Sequence, residues 1–240
     1  MRFANNCALR ASSSRTSPVG SPSGVVLNTA TDQVVAPAYW ERAKTELMKN
    51  DRILRRIIPL YADDALGLPA SPFVTLVRAV LSRQASRRTA LRQWHQFARH
   101  HGEQPDPENI AILSSACLGQ IGLPRRKAEY IIGISQHFVD GYIDVSRLQH
   151  LDNEAVIETL CAIRGVGRWT AEMFLIFNLR RADVLPLDDA ALLQAISTHY
   201  FSGEPVSRFE AREVAQAWAP WCTVATWHLW RSVDAVAVHY

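Results

Sequence analysis

Cysteine is scarce and scattered in this chain of 240 residues: Cys7, Cys117, Cys161 and Cys222 form no C-x-x-C pair. That spacing excludes the common zinc and iron–sulfur ligand sets and argues against a disulfide framework, so a reducing compartment is the default. No apolar run approaches the ~18 residues a membrane-spanning helix needs, so no membrane partner is expected. Alternating apolar and polar runs of the strand type are missing, as are internal repeats. The eight histidines include no H-E-x-x-H or other metal spacing. Acidic residues are missing before Asp32, where Ser, Thr, Pro and Val dominate. Residues 1–35 therefore read as a flexible tail and 36–240 as the folded part. Arginine and serine there also fit a transit peptide, but no amphipathic helix accompanies them.

What is present is helical periodicity. Apolar residues three and four apart predict helices over Trp40 to Lys49 and Arg52 to Leu60. One long helix is expected from Ser71-Pro72 through Ala85 toward Phe97, with Ser71 as N-cap, ending at His100-His101-Gly102. Further helices are expected from Asp106 to Cys117, Arg125 to Asp140, Asn153 to Ile163, Gly167 to Leu179, Asp189 to His199, Ser207 to Ala219 and Trp221 to Val238. The expected fold is all-α.

Net charge is only +3, so its distribution matters more than its size. Arg83, Arg87, Arg88, Arg92 and Arg99 crowd one segment, Arg125, Arg126 and Lys127 a second, and Arg180 and Arg181 a third. Each cluster alone reads as a solvated helix face; tracking a phosphate backbone is the sharper alternative.

The informative stretch is Leu160-Cys-Ala-Ile-Arg-Gly-Val-Gly-Arg-Trp-Thr-Ala-Glu-Met173. One helix ends near Ile163, Gly165-Val166-Gly167 makes a tight hairpin, and another helix starts at once. The glycines permit a sharp turn and close approach of another chain. The free N–H groups of the new helix's first turn, backed by its dipole, suit a phosphate. A bare G-x-G would be no more than a helix C-cap and turn. Twenty-two residues after Gly167 stands Asp189, in Leu185-Pro-Leu-Asp-Asp-Ala190. Alone, Asp188 and Asp189 read as helix caps. Upstream lie Val80-Leu-Ser-Arg-Gln-Ala-Ser86 and Gly122-Leu-Pro-Arg-Arg-Lys-Ala-Glu-Tyr130.

Together these four motifs resemble the helix-hairpin-helix DNA glycosylase superfamily, in its 3-methyladenine-DNA glycosylase II branch, over roughly Ser71 to Tyr240. The resemblance implies a two-lobed helical bundle with an active-site cleft between the lobes. It makes Asp189 the catalytic carboxylate. The hairpin, Ile163 to Arg168, would bind DNA phosphate, with Gly165, Val166, Gly167, Arg168, Thr170, Arg125 and Arg126 as the DNA-binding residues. It implies that Trp230 stacks on the flipped base, with Trp169, Met173 and Gln84 as further base-binding candidates and Gln104 or Pro105 near the wedge that fills the vacated stack. Carbonyls of Cys161, Ile163 and Val166 would hold a structural sodium or potassium ion, and catalysis would need no cofactor. Bifunctional relatives such as endonuclease III place a lysine nucleophile where this chain has Trp169, and they carry a four-cysteine cluster that is missing here. The expected activity is therefore hydrolytic release of a flipped, alkylated purine from double-stranded DNA, leaving an abasic site in an intact strand.

Two alternatives stay open: the same fold acting on neutral hypoxanthine or uracil, and a non-catalytic module that grips DNA. The sequence does not rank 3-methyladenine, 7-methylguanine, 1-methyladenine and hypoxanthine as substrates. A monomer is expected, lying with the nucleoid in a bacterial cytoplasm or in a eukaryotic nucleus. Larger relatives in this branch carry an N-terminal sheet domain, and the residues before Ser71 are too few for it. Of the seven tryptophans, Trp218 and Trp227 read as core.

Overall fold

The computed structural model describes residues 36–233, so the expected tail and the last turn of the helix predicted to reach Val238 lie outside the described residues. Thirteen α-helices and two short 3-10 turns account for the regular structure of the described residues, with no strand among them.

Local chemistry sets most helix starts. Ser71 accepts from the Val74 amide at 3.2 Å and Pro72 takes the first helical position, opening α3 (Pro72–Ser82). The expectation of one long helix from Ser71 toward Phe97 is corrected here. Arg83 is extended and Gln84 adopts a left-handed φ of 51°. Ser86 then caps a new helix, α4 (Arg87–His101), through the Thr89 amide. Apolar periodicity runs through the break, but the Ser86 cap competes with helix continuation and wins. The expected helix from Asp106 to Cys117 is likewise two pieces, α5 (Pro107–Ala111) and α6 (Ser115–Gln120), because Ser114 caps the Cys117 amide.

Between them the helices form two groups. In the first, α3 is the central rod: Phe73, Val74, Leu76, Val77, Val80 and Leu81 are all buried. Each such side chain contributes about 1.5–3 kcal/mol by leaving water. Around α3 pack α4, α7 (Arg125–Val139) and α10 (Arg168–Phe177), with α5 and α6 against α7 and α9 (Asn153–Cys161) against α10. A short α8 (Val145–Leu148), which periodicity does not announce, connects α7 to α9. In the second group, α13 (Cys222–Val233) packs on α1 (Trp40–Asn50), α2 (Leu54–Ile57) and α11 (Ala190–Tyr200), and α12 (Arg208–Ala215) lies against α11.

Buried polar groups fasten the second group. Asp51 is 6% exposed and accepts from the Ile53 and Leu54 amides, the Tyr200 hydroxyl and the Trp218 indole. Trp218 and Trp227 are buried, as the sequence suggests for core tryptophans. The seam between the groups is tied by the Tyr39 hydroxyl on the Arg180 carbonyl, while Asn178 on the Ala70 carbonyl joins the end of α10 to the start of α3. Arg180 and Arg181 read from sequence as possible phosphate contacts. In the fold they donate instead to the carbonyls of Leu66, Gln149 and Leu151.

Candidate active site and DNA-facing hairpin

The site lies on this seam. The turn between α9 and α10 is closed by the Val166 amide on the Ile163 carbonyl at 3.0 Å. Gly165 has φ +95°, and a Cβ there would stand 2.2 Å from the Tyr130 ring. Both the backbone and the packing therefore demand glycine. At Gly167 the neighbour is cationic: a Cβ would lie 3.0 Å from the Arg83 guanidinium. Gly167 starts α10 with no side-chain cap, so the first-turn amides of Arg168 and Thr170 have neither an intrahelical nor a capping partner. Arg164 lies exposed within this turn and Arg83 against it; Arg126 is exposed at the start of α7, and Arg125 is half-committed to Glu129 at 2.9 Å.

The structure sorts the DNA-contact candidates. Val166 is 6% exposed and its amide is already bonded to the Ile163 carbonyl, so it has no donor for a phosphate, and the Thr170 side chain is buried, leaving only its first-turn amide for that role. Arg168 points its guanidinium at two carboxylates, Glu154 (2.9 Å from Nη1) and Glu172 (3.0 Å from Nε). A side chain so engaged holds α9 to α10, and this departs from the expectation that it grips DNA. The cation that does lie against the hairpin is Arg83, which arrives from the break between α3 and α4. Sequence reasoning saw its cluster but not its place, because the contact joins segments far apart in the chain.

Asp189 is the N-cap of α11, its Oδ1 accepting the Leu192 amide at 2.8 Å. It is more than a cap. The Trp230 indole donates to Oδ1 at 2.9 Å, and the Trp169 indole donates to Oδ2 at 2.9 Å. Trp169 comes from α10 in one helical group, whereas Asp189 and Trp230 belong to the other. Oδ1 thus has both lone pairs engaged and Oδ2 keeps one available. Asp189 and Trp169 are half-buried, so that lone pair sits beside a partly open aromatic wall. Trp230 is 4% exposed and stacks on Phe177, with ring planes 7° apart and centroids at 6.0 Å. Met173 has no accessible surface, so it cannot touch a base in this conformation; it packs in the core. Gln84 is exposed next to Arg83, at a backbone conformation that costs a non-glycine residue about 1–3 kcal/mol. Pro105 is buried, which leaves Gln104 as the exposed member of that pair.

Glu172 escaped the sequence reading. It is 3% exposed, Oε2 has no hydrogen-bond partner among the described residues, and burial pushes its carboxyl up to about 7 despite Arg168 beside it. Asp188, by contrast, is exposed and paired with Arg208 at 2.8 Å. No group of three or more His, Cys, Asp or Glu side chains suited to a metal occurs among the described residues.

A glycine hairpin joining two helices, the second opening without a side-chain cap, places the chain in the helix-hairpin-helix class. The comparisons agree: the HhH-GPD superfamily of base excision DNA repair proteins matches residues 77–220, and this chain belongs to that superfamily. DNA-3-methyladenine glycosylase 1 of Schizosaccharomyces pombe is 30% identical over 198 residues, covering 80% of this chain and 86% of that protein. DNA-3-methyladenine glycosylase of Bacillus subtilis is 29% identical, covering 78% of this chain but only 65% of that protein's length. Among solved structures, the S. pombe 3-methyladenine DNA glycosylase bound to abasic DNA superposes with a TM-score of 0.73 at 29% identity, over 80% of this chain and 96% of that one.

Proposed function

We propose that this protein is a monofunctional DNA glycosylase that flips alkylated purines of the 3-methyladenine and 7-methylguanine type out of duplex DNA and hydrolyses their N-glycosidic bond. The observation that carries the reading is Asp189, held by the Trp169 and Trp230 indoles with one lone pair of Oδ2 open. In the reaction a water oxygen bonds to C1′ of the sugar as the C1′–N bond breaks. The bonding pair passes to the base and neutralises its positive charge, so the leaving group needs no proton. The water's proton goes to Asp189, whose fixed carboxylate also faces the cationic sugar as charge develops. The similarity to 3-methyladenine glycosylases, one of them crystallised on abasic DNA, supports both the substrate class and the DNA partner.

Half-buried Trp169 offers the aromatic face a cationic base gains from, by about 0.5–2 kcal/mol over a neutral one. Trp230 backs it, and Gln84 stands at the DNA side with Arg83. Position 169 holds no amine, so no Schiff base forms with the sugar and the strand stays intact. The amides of Gly165, Gly167 and the first turn of α10 take the phosphate, with Arg125 and Arg126 nearby. Cys161, Ile163 and Val166 lie at the carbonyl end of α9. The Ile163 oxygen keeps one lone pair beside its bond to Val166, a donor set that fits a sodium or potassium ion.

The test is release of methylated bases from alkylated duplex DNA by the wild type and by Asp189→Asn, with strands examined before and after alkali. The wild type is expected to release 3-methyladenine and leave breaks only after alkali, and the variant to lose at least about 100-fold in rate. Tight binding to abasic DNA without release of any base would instead establish a binding module.

A further inference from the structure

From Ala65 to Gly102 the chain carries six arginines and no aspartate or glutamate, within a protein whose net charge is only +3. Three of those arginines, Arg88, Arg92 and Arg99, fall with His95 on the exposed side of α4, while Trp94, Phe97 and Ala98 bury its other side. The spacing of four, three and four residues makes one stripe along the helix. Arg88, Arg92 and Arg99 make no ion pair among the described residues, and with Leu91 and Gln96 they line an open groove of about 390 Å³.

Two local rules are broken here. Arg88 stands in the first turn of α4, where the helix dipole disfavours a cation, and that turn holds no acidic residue. Like charges one turn apart also repel. A stripe that costs stability in the free protein points to an anion that relieves it when bound. The stripe is continuous with the hairpin. It begins just after Arg83, whose guanidinium packs on Gly167, and its Gln96 side chain would touch a Cβ at Gly122, in the turn leading to Arg125 and Arg126. From Arg88 to Arg99 the helix rises ~16 Å, close to the axial length of about five base pairs.

We infer that the α4 face formed by Arg88, Arg92, His95 and Arg99 is a second phosphate-binding ridge, which grips the backbone of the duplex flanking the damaged base. This rests on the DNA-glycosylase reading above and extends it from the lesion to the flank. The ridge reads no sequence; its work is affinity and retention on DNA.

The experiment measures the Kd for a 30-base-pair duplex carrying one stable abasic-site analogue, across a salt series. It compares the wild type, Arg88→Gln/Arg92→Gln/Arg99→Gln and the corresponding triple lysine variant. Neutralising three contacts is expected to weaken binding about 10- to 100-fold at low salt and to flatten the slope of log K against log salt by about 2.7. The lysine variant should restore both. An unchanged Kd and slope in the glutamine variant overturns the inference, and is the result expected if the face instead binds an acidic protein. Weaker binding with an unchanged slope also overturns it, since the loss would then be structural. Failure of the wild type to bind any duplex removes the DNA reading itself, and the ridge with it.

Discussion

Trp230 donates its indole hydrogen to Oδ1 of Asp189 at 2.9 Å, although α13 and the start of α11 meet only through the folded core. Trp169 does the same to Oδ2 from the opposite helical group. The carboxylate is therefore fixed from both sides of the seam, and its reach is set by two large, weakly mobile rings. Capping alone would not need this arrangement, because the Leu192 amide already satisfies the cap. Two rigid donors aim the remaining lone pair of Oδ2, and aiming is what stabilisation of a developing sugar cation requires.

Removing either donor should loosen the aim without removing the acid. Trp169→Phe and Trp230→Phe keep an aromatic ring and delete one N–H each. Each is expected to lower the single-turnover rate of base release roughly 10- to 150-fold, the scale of about 1.5–3 kcal/mol for a hydrogen bond to a charged group. Because both bonds position one carboxylate, the double variant should lose less than the product of the two. Strict multiplicativity across that cycle would mean that the indoles act separately, as base contacts alone.

Much of this was legible in the sequence, for identifiable reasons. The hairpin glycines, the capping role of Asp189 and the helical fold of the described residues rest on local signals, and the structure displays each of them, whereas the choice of Asp189 as the acid rests on the family resemblance. Three things were hidden. Gln84 breaks a continuous apolar rhythm, because a serine cap three residues upstream of its amide partner outweighs periodicity. From Thr170 to Phe177 every residue of α10 is buried, so periodicity could not tell that Met173 and Thr170 turn inward while Trp169 faces the site. The pairing of Arg168 with Glu154, and of Arg83 with Gly167, joins residues that no spacing rule relates.

The hairpin itself gives a stability prediction. Gly165→Ala places a methyl group into the Tyr130 ring at a φ of +95°. Left-handed backbone costs about 1–2 kcal/mol and overpacking about 1–3 kcal/mol, so the variant should lose about 2–5 kcal/mol in denaturant unfolding. Adding Tyr130→Ala removes the ring contacts but leaves the Cβ of residue 130 at 2.7 Å and the backbone penalty. Recovery should therefore be partial; complete recovery would show that the conformation at Gly165 carries no strain.

Glu172 gives stability a pH dependence. Its ordinary carboxyl value is 4.5, and burial in the fold lifts it to about 7. Between those values the unfolded chain has released the proton and the folded protein still holds it. This group therefore favours the fold most at the acid end, and that contribution is lost as pH rises from about 4.5 to 7, then stays constant. Glu172→Gln cannot ionise, so it removes this slope, which is at most about 1.4 kcal/mol per pH unit. Unfolding of both proteins at pH 5, 6, 7 and 8 should show the variant gaining on the wild type up to pH 7 and then holding level. A constant difference across the series would mean that Arg168, at 3.0 Å, keeps Glu172 ionised throughout, with burial outweighed by the ion pair.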